Sequence, residues 1–247
     1  MTSLLHLAEH RVQVVALAFM AVVYLLRVVW LFRFPRARDR QPPTGRPRTN
    51  AAKGAWYSMA AIGMPWSMET TRTRPGLYAQ FVAFHLAVAA NIVLSFVIPY
   101  APGLLQSLAL TRLLQVVIGA GFVVGVIRMV RRVRDPVVRR ISTPDDIFSL
   151  GLLTVWFLAG VAAAPNSVAG GELHLVVYFL LTAFFLIYVP FSKISHYLYY
   201  PFTRYWLGRT LGYRGVFPIE HVGSSATDRL GAPSPGAIAA DLARGPS

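Results

Sequence analysis

Hydrophobic positions in this chain gather into five long runs, at residues 12–32, 77–98, 112–129, 144–164 and 173–204, parted by shorter polar or proline-bearing stretches. An α-helix needs about 20 apolar residues to cross a hydrocarbon core of about 30 Å, and each run is close to or beyond that length. The pattern predicts an all-α protein: an integral membrane bundle of five transmembrane helices, built from residues 1–214. Pro99 and Pro102 close the second run. Thr143 is a suitable N-cap ahead of Pro144, with Asp145 and Asp146 in the first turn, so the fourth helix is expected to begin there. After Arg214 the composition turns to Gly, Ala, Pro and Ser, and 215–247 reads as a mobile cytoplasmic tail.

The connections alternate in charge. Those at 33–74, at 128–140 and in the C-terminal part are rich in Arg, whereas 99–111 and 165–173 hold no Lys or Arg. Basic loops stay in the cytoplasm, so the N-terminus is expected outside and the C-terminus inside, in a multi-pass protein of the inner (cytoplasmic) membrane. No basic segment with a small-residue cleavage site precedes the first run, and no cleaved leader is expected. Within 33–74 the first half carries Pro35, Pro42, Pro43 and Pro47 and is a poor helix. The second half, GAWYSMAAIGMPWSMET, is too short to span and is rich in aromatic residues. It reads either as a segment lying along the membrane surface or as a docking face.

Composition narrows the function classes. Of 247 residues 55% are hydrophobic and 14% charged, too few charges for a soluble domain of this size. The net charge of +14 would suit nucleic acid, but the Lys and Arg sit between or after the apolar runs, as a topology signal does, and no nucleic-acid partner is expected. With no cysteine the chain holds neither disulfides nor a cysteine-ligated iron–sulfur cluster. It shows no transporter-like internal repeat.

The residues that carry chemistry are histidines. His85 stands eight residues past Leu77, roughly 12 Å in from the cytoplasmic end of the second span. If the fifth helix continues to Arg204, His196 lies eight residues before it, again roughly 12 Å deep. Two antiparallel helices then offer one imidazole each at one depth, as axial ligation of a haem b iron requires. The bland alternative is two unrelated buried histidines. Lys193, about one turn from His196, and Arg128 at the end of the third span are candidates for propionate contacts, or they reach to lipid headgroups. His174 is a candidate ligand for a second haem near the outer face, with His6 or His10 as its mate, or an interfacial residue beside Glu172. His221 is given no role.

These residues sit in motifs that resemble a family. FH at Phe84–His85, RDPVVRRISTPDD at 134–146 and VPFSKISH at 189–196 are similar to the gamma subunit of respiratory nitrate reductase and its b-type cytochrome relatives in heterodisulfide reductase, sulfite-reduction-associated and nickel–iron hydrogenase complexes. The resemblance covers roughly 70–205. It implies five spans with the N-terminus outside, a haem b held by His85 and His196 near the cytoplasm, a quinone site toward the outer face, and a cytoplasmic partner with iron–sulfur clusters. Two positions depart from the nitrate reductase pattern: Ser95 stands in place of a second-span histidine, and Tyr178 at the matching fifth-span position, with His174 a turn earlier. Arg112 is the candidate basic residue of an outer quinone site.

Two function classes follow. In the first the chain relays electrons between the quinone pool and a cytoplasmic redox partner through one or two haems b, with no substrate chemistry of its own. If only the inner haem is present, the quinone site must lie close to it. In the second it is a haem-free membrane anchor or small transporter subunit that tethers a partner.

Overall fold

The computed structural model describes residues 3–35, 41–43, 49–64 and 69–218, and among these it is helical, without strands. Most of the stretch read as a tail, from residue 219 on, lies outside the described residues, as does His221. Seven longer helices carry the structure: α1 Gln13–Arg33, α2 Ala51–Ala60, α3 Pro75–Tyr100, α4 Leu108–Arg134, α5 Pro144–Ala163, α6 Leu173–Tyr188 and α7 His196–Tyr213. A short helix, Ser3–His6, and a π-helical turn, Leu7–Val12, lead without a break into α1.

Five segments are long and apolar enough to cross a membrane: Leu4–Arg33, Pro75–Tyr100, Leu108–Arg134, Pro144–Ala163 and Leu173–Phe191. The shortest has 19 residues and the longest 30, or about 28 to 45 Å at 1.5 Å per residue, enough for the apolar layer in every case. The helix ends follow local chemistry. Ser107 caps α4 by accepting from the Leu110 N–H. Thr143 and Asp146 form a reciprocal capping box at the start of α5, with Pro144 in the first turn, where its missing N–H costs nothing.

The fifth span departs from a single straight helix reaching Arg204. α6 ends at Tyr188, the chain passes through two 3-10 turns, Val189–Phe191 and Lys193–Ser195, and α7 starts afresh at His196. Pro190 supplies no N–H to continue the α6 ladder, and Ser192 takes an extended conformation (φ −103°, ψ 171°) that separates the two turns.

Contacts divide the chain into two units, Met1–Arg38 with Gly63–Pro201 and Asp39–Ile62 with Phe202–Ser247. In the first, α4 packs against both α3 and α5, and α6 against α1 and α5. Phe157, Tyr178, Phe179, Leu94 and Ile118 are fully buried at its centre. Close approach rests on small residues, as helix packing in lipid favours. A Cβ on Gly121 of α4 would overlap that of Ala87 on α3 and crowd the Phe157 ring, and one on Gly160 of α5 would strike the Asn91 amide. In the second unit α2 runs antiparallel to the C-terminal part of α7, with the backbones at Gly54, Gly208 and Gly212 in contact. Arg204 Nε donates to the Ser58 carbonyl at 3.1 Å, and Tyr57 meets Phe217 edge-on. Part of the aromatic segment thus forms a helix; residues 65–68 lie outside the described residues.

Gly121→Val should force α3 and α4 apart and cost about 1–3 kcal/mol, the usual penalty for overpacking. Unfolding in mixed detergent micelles checks this, and an unchanged midpoint would contradict the close α3–α4 contact.

Candidate functional site

His85 lies on α3 and His196 opens α7, and their ring centres stand 6.5 Å apart with planes inclined at 81°. Each ring is oriented by a backbone carbonyl of its own segment. His85 Nδ1 is 2.8 Å from the Phe81 carbonyl, one turn earlier, and His196 Nδ1 is 3.0 Å from the Lys193 carbonyl. A carbonyl only accepts, so in both cases Nδ1 carries the hydrogen and donates. Nε2 of each ring is then the nitrogen with a free lone pair. The Phe81 ring packs on His85 at 4.1 Å between centres and fixes it further. Both histidines are exposed rather than sealed into the core.

These dimensions suit one metal between two rings. Two nitrogen–metal bonds of about 2.0–2.1 Å and two ring radii of about 1.2 Å give a centre-to-centre distance of about 6.4 Å. The Nδ1–H to carbonyl bond is also the usual outer contact of a metal-bound histidine. Among the described residues no group of three or more His, Cys, Asp or Glu could hold a metal. Two protein ligands suit a metal whose other positions are taken by a macrocycle better than a tetrahedral ion that needs four.

His196 owes its place to the break in the fifth span. Lys193 Nζ bonds Asp146 Oδ1 at 3.0 Å and Thr143 Oγ1 at 2.8 Å, which ties the turn before His196 to the capped end of α5. Tyr188, at the end of α6, donates to Asp145 at 2.6 Å and meets the Ser149 hydroxyl at 2.9 Å. Ser192 and Ser195 bond within the turns: the Ile194 N–H donates to Ser192 Oγ, and Ser195 Oγ donates to the Ser192 carbonyl. The two aspartates of STPDD therefore hold VPFSKISH in place. Sequence reasoning used those aspartates only as helix-start markers, and the signal that joins them to Lys193 is opposite charge across two motifs.

The other sequence candidates separate. Lys193 is engaged with Asp146 and Thr143 rather than free. The Arg128 guanidinium lies over the Phe84 ring at 5.1 Å, beside His85, and makes no ion pair among the described residues. Arg112 bonds Gln115 at 3.0 Å. His174 is half-buried and shares no ring contact with another histidine among the described residues. His6 and His10 pair with each other at 4.8 Å, and His10 meets Tyr100 at 6.3 Å. Where a second pair of ligands would stand, the bundle is closed. Tyr178 is fully buried and donates to the Asn91 carbonyl at 2.6 Å, Ser95 Oγ donates to the Ile92 carbonyl, and Gln13 Nε2 donates to the Ser95 carbonyl.

Lys193→Met should loosen the turns that carry His196 while sparing α3. Hydrogen exchange of the amides of 192–197 should rise by up to roughly fivefold, the range of an exposed ion pair. Equal protection in variant and wild type would show that the Lys193–Asp146 bond does not hold the turn. The chain matches no family model, no curated protein and no solved structure.

Proposed function

We propose that the chain is a b-type cytochrome membrane subunit that relays electrons between the quinone pool and a cytoplasmic redox partner. The observation that carries this reading is the His85–His196 pair: two imidazoles with ring centres 6.5 Å apart, each with its Nδ1–H bonded to a backbone carbonyl and its Nε2 left to bind a metal. Such a haem supplies one-electron exchange at its iron; the protein sets ligation, burial and field. The pair stands on α3 and at the end of the fifth span, exposed rather than sealed in the core, on segments read as spanning a membrane, where a polar pair without purpose would be costly. The motif resemblance described above adds to this reading, and through it a partner with iron–sulfur clusters.

One haem is favoured over two by the closed packing at Ser95 and Tyr178. The density of Arg in 128–140 against its absence in 99–111 supports a cytoplasmic position for the haem end, with the N-terminus outside and the cytoplasmic membrane as location. Arg128, over the ring of Phe84 next to His85 in the chain and without an ion pair among the described residues, is the better candidate for a propionate contact, whereas Lys193 serves better as the anchor of His196. The same Arg-rich connections suit an acidic partner face.

The purified chain should show b-type α and Soret bands in its reduced-minus-oxidised spectrum, at about one haem per chain. His85→Ala and His196→Ala should each abolish the bands, and His174→Ala should leave them. A colourless protein, or full haem content in either axial variant, would overturn the reading in favour of a haem-free anchor.

A further inference from the structure

We propose that Tyr24 and Arg27 form a binding site for a quinone headgroup beside His196. The inference rests on the function proposed above and adds the place where that function meets its substrate. It starts from two polar residues, three positions apart on an otherwise apolar stretch of α1 and so on one face of the helix. An ionisable side chain on a spanning helix calls for a partner.

The partner segment is the one that carries His196. Tyr197, the next residue, donates its hydroxyl hydrogen to the Tyr24 oxygen at 2.6 Å, with the rings edge-to-face at 5.7 Å. That bond uses the Tyr197 hydrogen; the hydrogen of Tyr24 itself meets no acceptor among the described residues. Arg27 reaches the Tyr199 hydroxyl only at 3.5 Å, lies over the Phe191 ring at 5.4 Å, and pairs with no carboxylate among the described residues. A phenol hydrogen without an acceptor among the described residues and a guanidinium whose one hydrogen bond is long thus stand one turn apart with donor capacity to spare.

Aromatic rings flank them. Phe19 and Phe191 stand 6.2 Å apart, and both are exposed, which leaves the place open toward lipid. A flat apolar body with a carbonyl oxygen at its edge meets both demands, and a quinone is that molecule. A lipid phosphate is also an acceptor, but depth disfavours it. Tyr24 lies nine residues inside Arg33, about 14 Å along the helix, on the apolar side of that basic end, which favours a quinone ring over a headgroup phosphate. Contact with the residue next to His196 places the headgroup one side chain from the proposed metal ligand. Oxidation of one quinol to quinone at this site would release two protons and two electrons, which a haem held by His85 and His196 would accept one at a time for the cytoplasmic partner; quinone reduction would be the reverse. This position is at the end of the bundle opposite to Arg112, where the family resemblance would put the quinone.

The test uses the full chain in detergent and a short-tailed naphthoquinone, with binding followed by tryptophan fluorescence so that it reads whether or not haem is present. Tyr24→Phe should raise the Kd roughly three- to tenfold and Arg27→Gln roughly tenfold or more, the usual costs of losing a neutral and a charged hydrogen bond. Haem content and midpoint potential should stay at wild-type values in both, while reduction of the centre by the matching quinol slows. Arg112→Gln should change nothing. Wild-type affinity in both variants, or loss of affinity in Arg112→Gln instead, overturns the proposal. So does displacement of the quinone by phosphatidylglycerol in nanodiscs with the same dependence on Tyr24, which would make this a lipid site. A chain without b-type bands that still binds quinone through Tyr24 would sink the cytochrome reading and leave the site standing.

Discussion

A backbone carbonyl can accept a hydrogen bond but cannot give one, and on that asymmetry the site depends. The Phe81 and Lys193 carbonyls each take the Nδ1 hydrogen of a histidine, which leaves two Nε2 lone pairs on two rings whose centres stand 6.5 Å apart. No side-chain network is needed to choose the tautomer. On α3 the carbonyl is simply that of residue i−4, present in any helix. On the other strand of the pair it is Lys193, whose own position has to be arranged.

That arrangement explains the irregular fifth span. A continuous helix would carry residue 196 on the same cylinder as α6, at an azimuth fixed by Tyr188. The two 3-10 turns and the extended Ser192 release the chain from that constraint and let α7 begin at His196 itself. Backbone freed from a helix ladder in a membrane must be satisfied locally. The serines of the segment do this, and Asp145 and Asp146 hold its two ends through Tyr188 and Lys193. The N-terminal turn of α5 is thus the fixed point against which the break is built. It is rigid because Thr143 and Asp146 already bond each other's backbone in the capping box.

The rest of the bundle is closely packed. Its middle is filled by direct contact, with α3, α4 and α5 brought close by Gly121 and Gly160 and the polar groups of Asn91, Trp156, Tyr178 and Thr182 bonded to carbonyls or to one another. Among the described residues Glu9 Oε2, Gln13 Oε1 and Asn91 Oδ1 are buried without a partner, while Arg128 over Phe84 and Tyr24 with Arg27 carry donors beside the segments of His85 and His196.

The number of spans was legible in the chain because hydropathy and helix length are local, and the five long runs needed no partner to be recognised. The cap at Thr143 was equally local. Equal depth of His85 and His196 could be counted along two helices, although the count assumed a straight fifth helix that the structure does not have. Sequence alone could not foresee that Lys193 turns to Asp146, since two charges 47 positions apart say nothing of their distance. Arg27 and Tyr24 could not be singled out from the chain, because their meaning lies in Tyr197 and Phe191, which only packing of the helices brings to them. What a residue prefers by itself is written in its neighbours along the chain; what it bonds is settled by segments far away in sequence, and that was left to the fold.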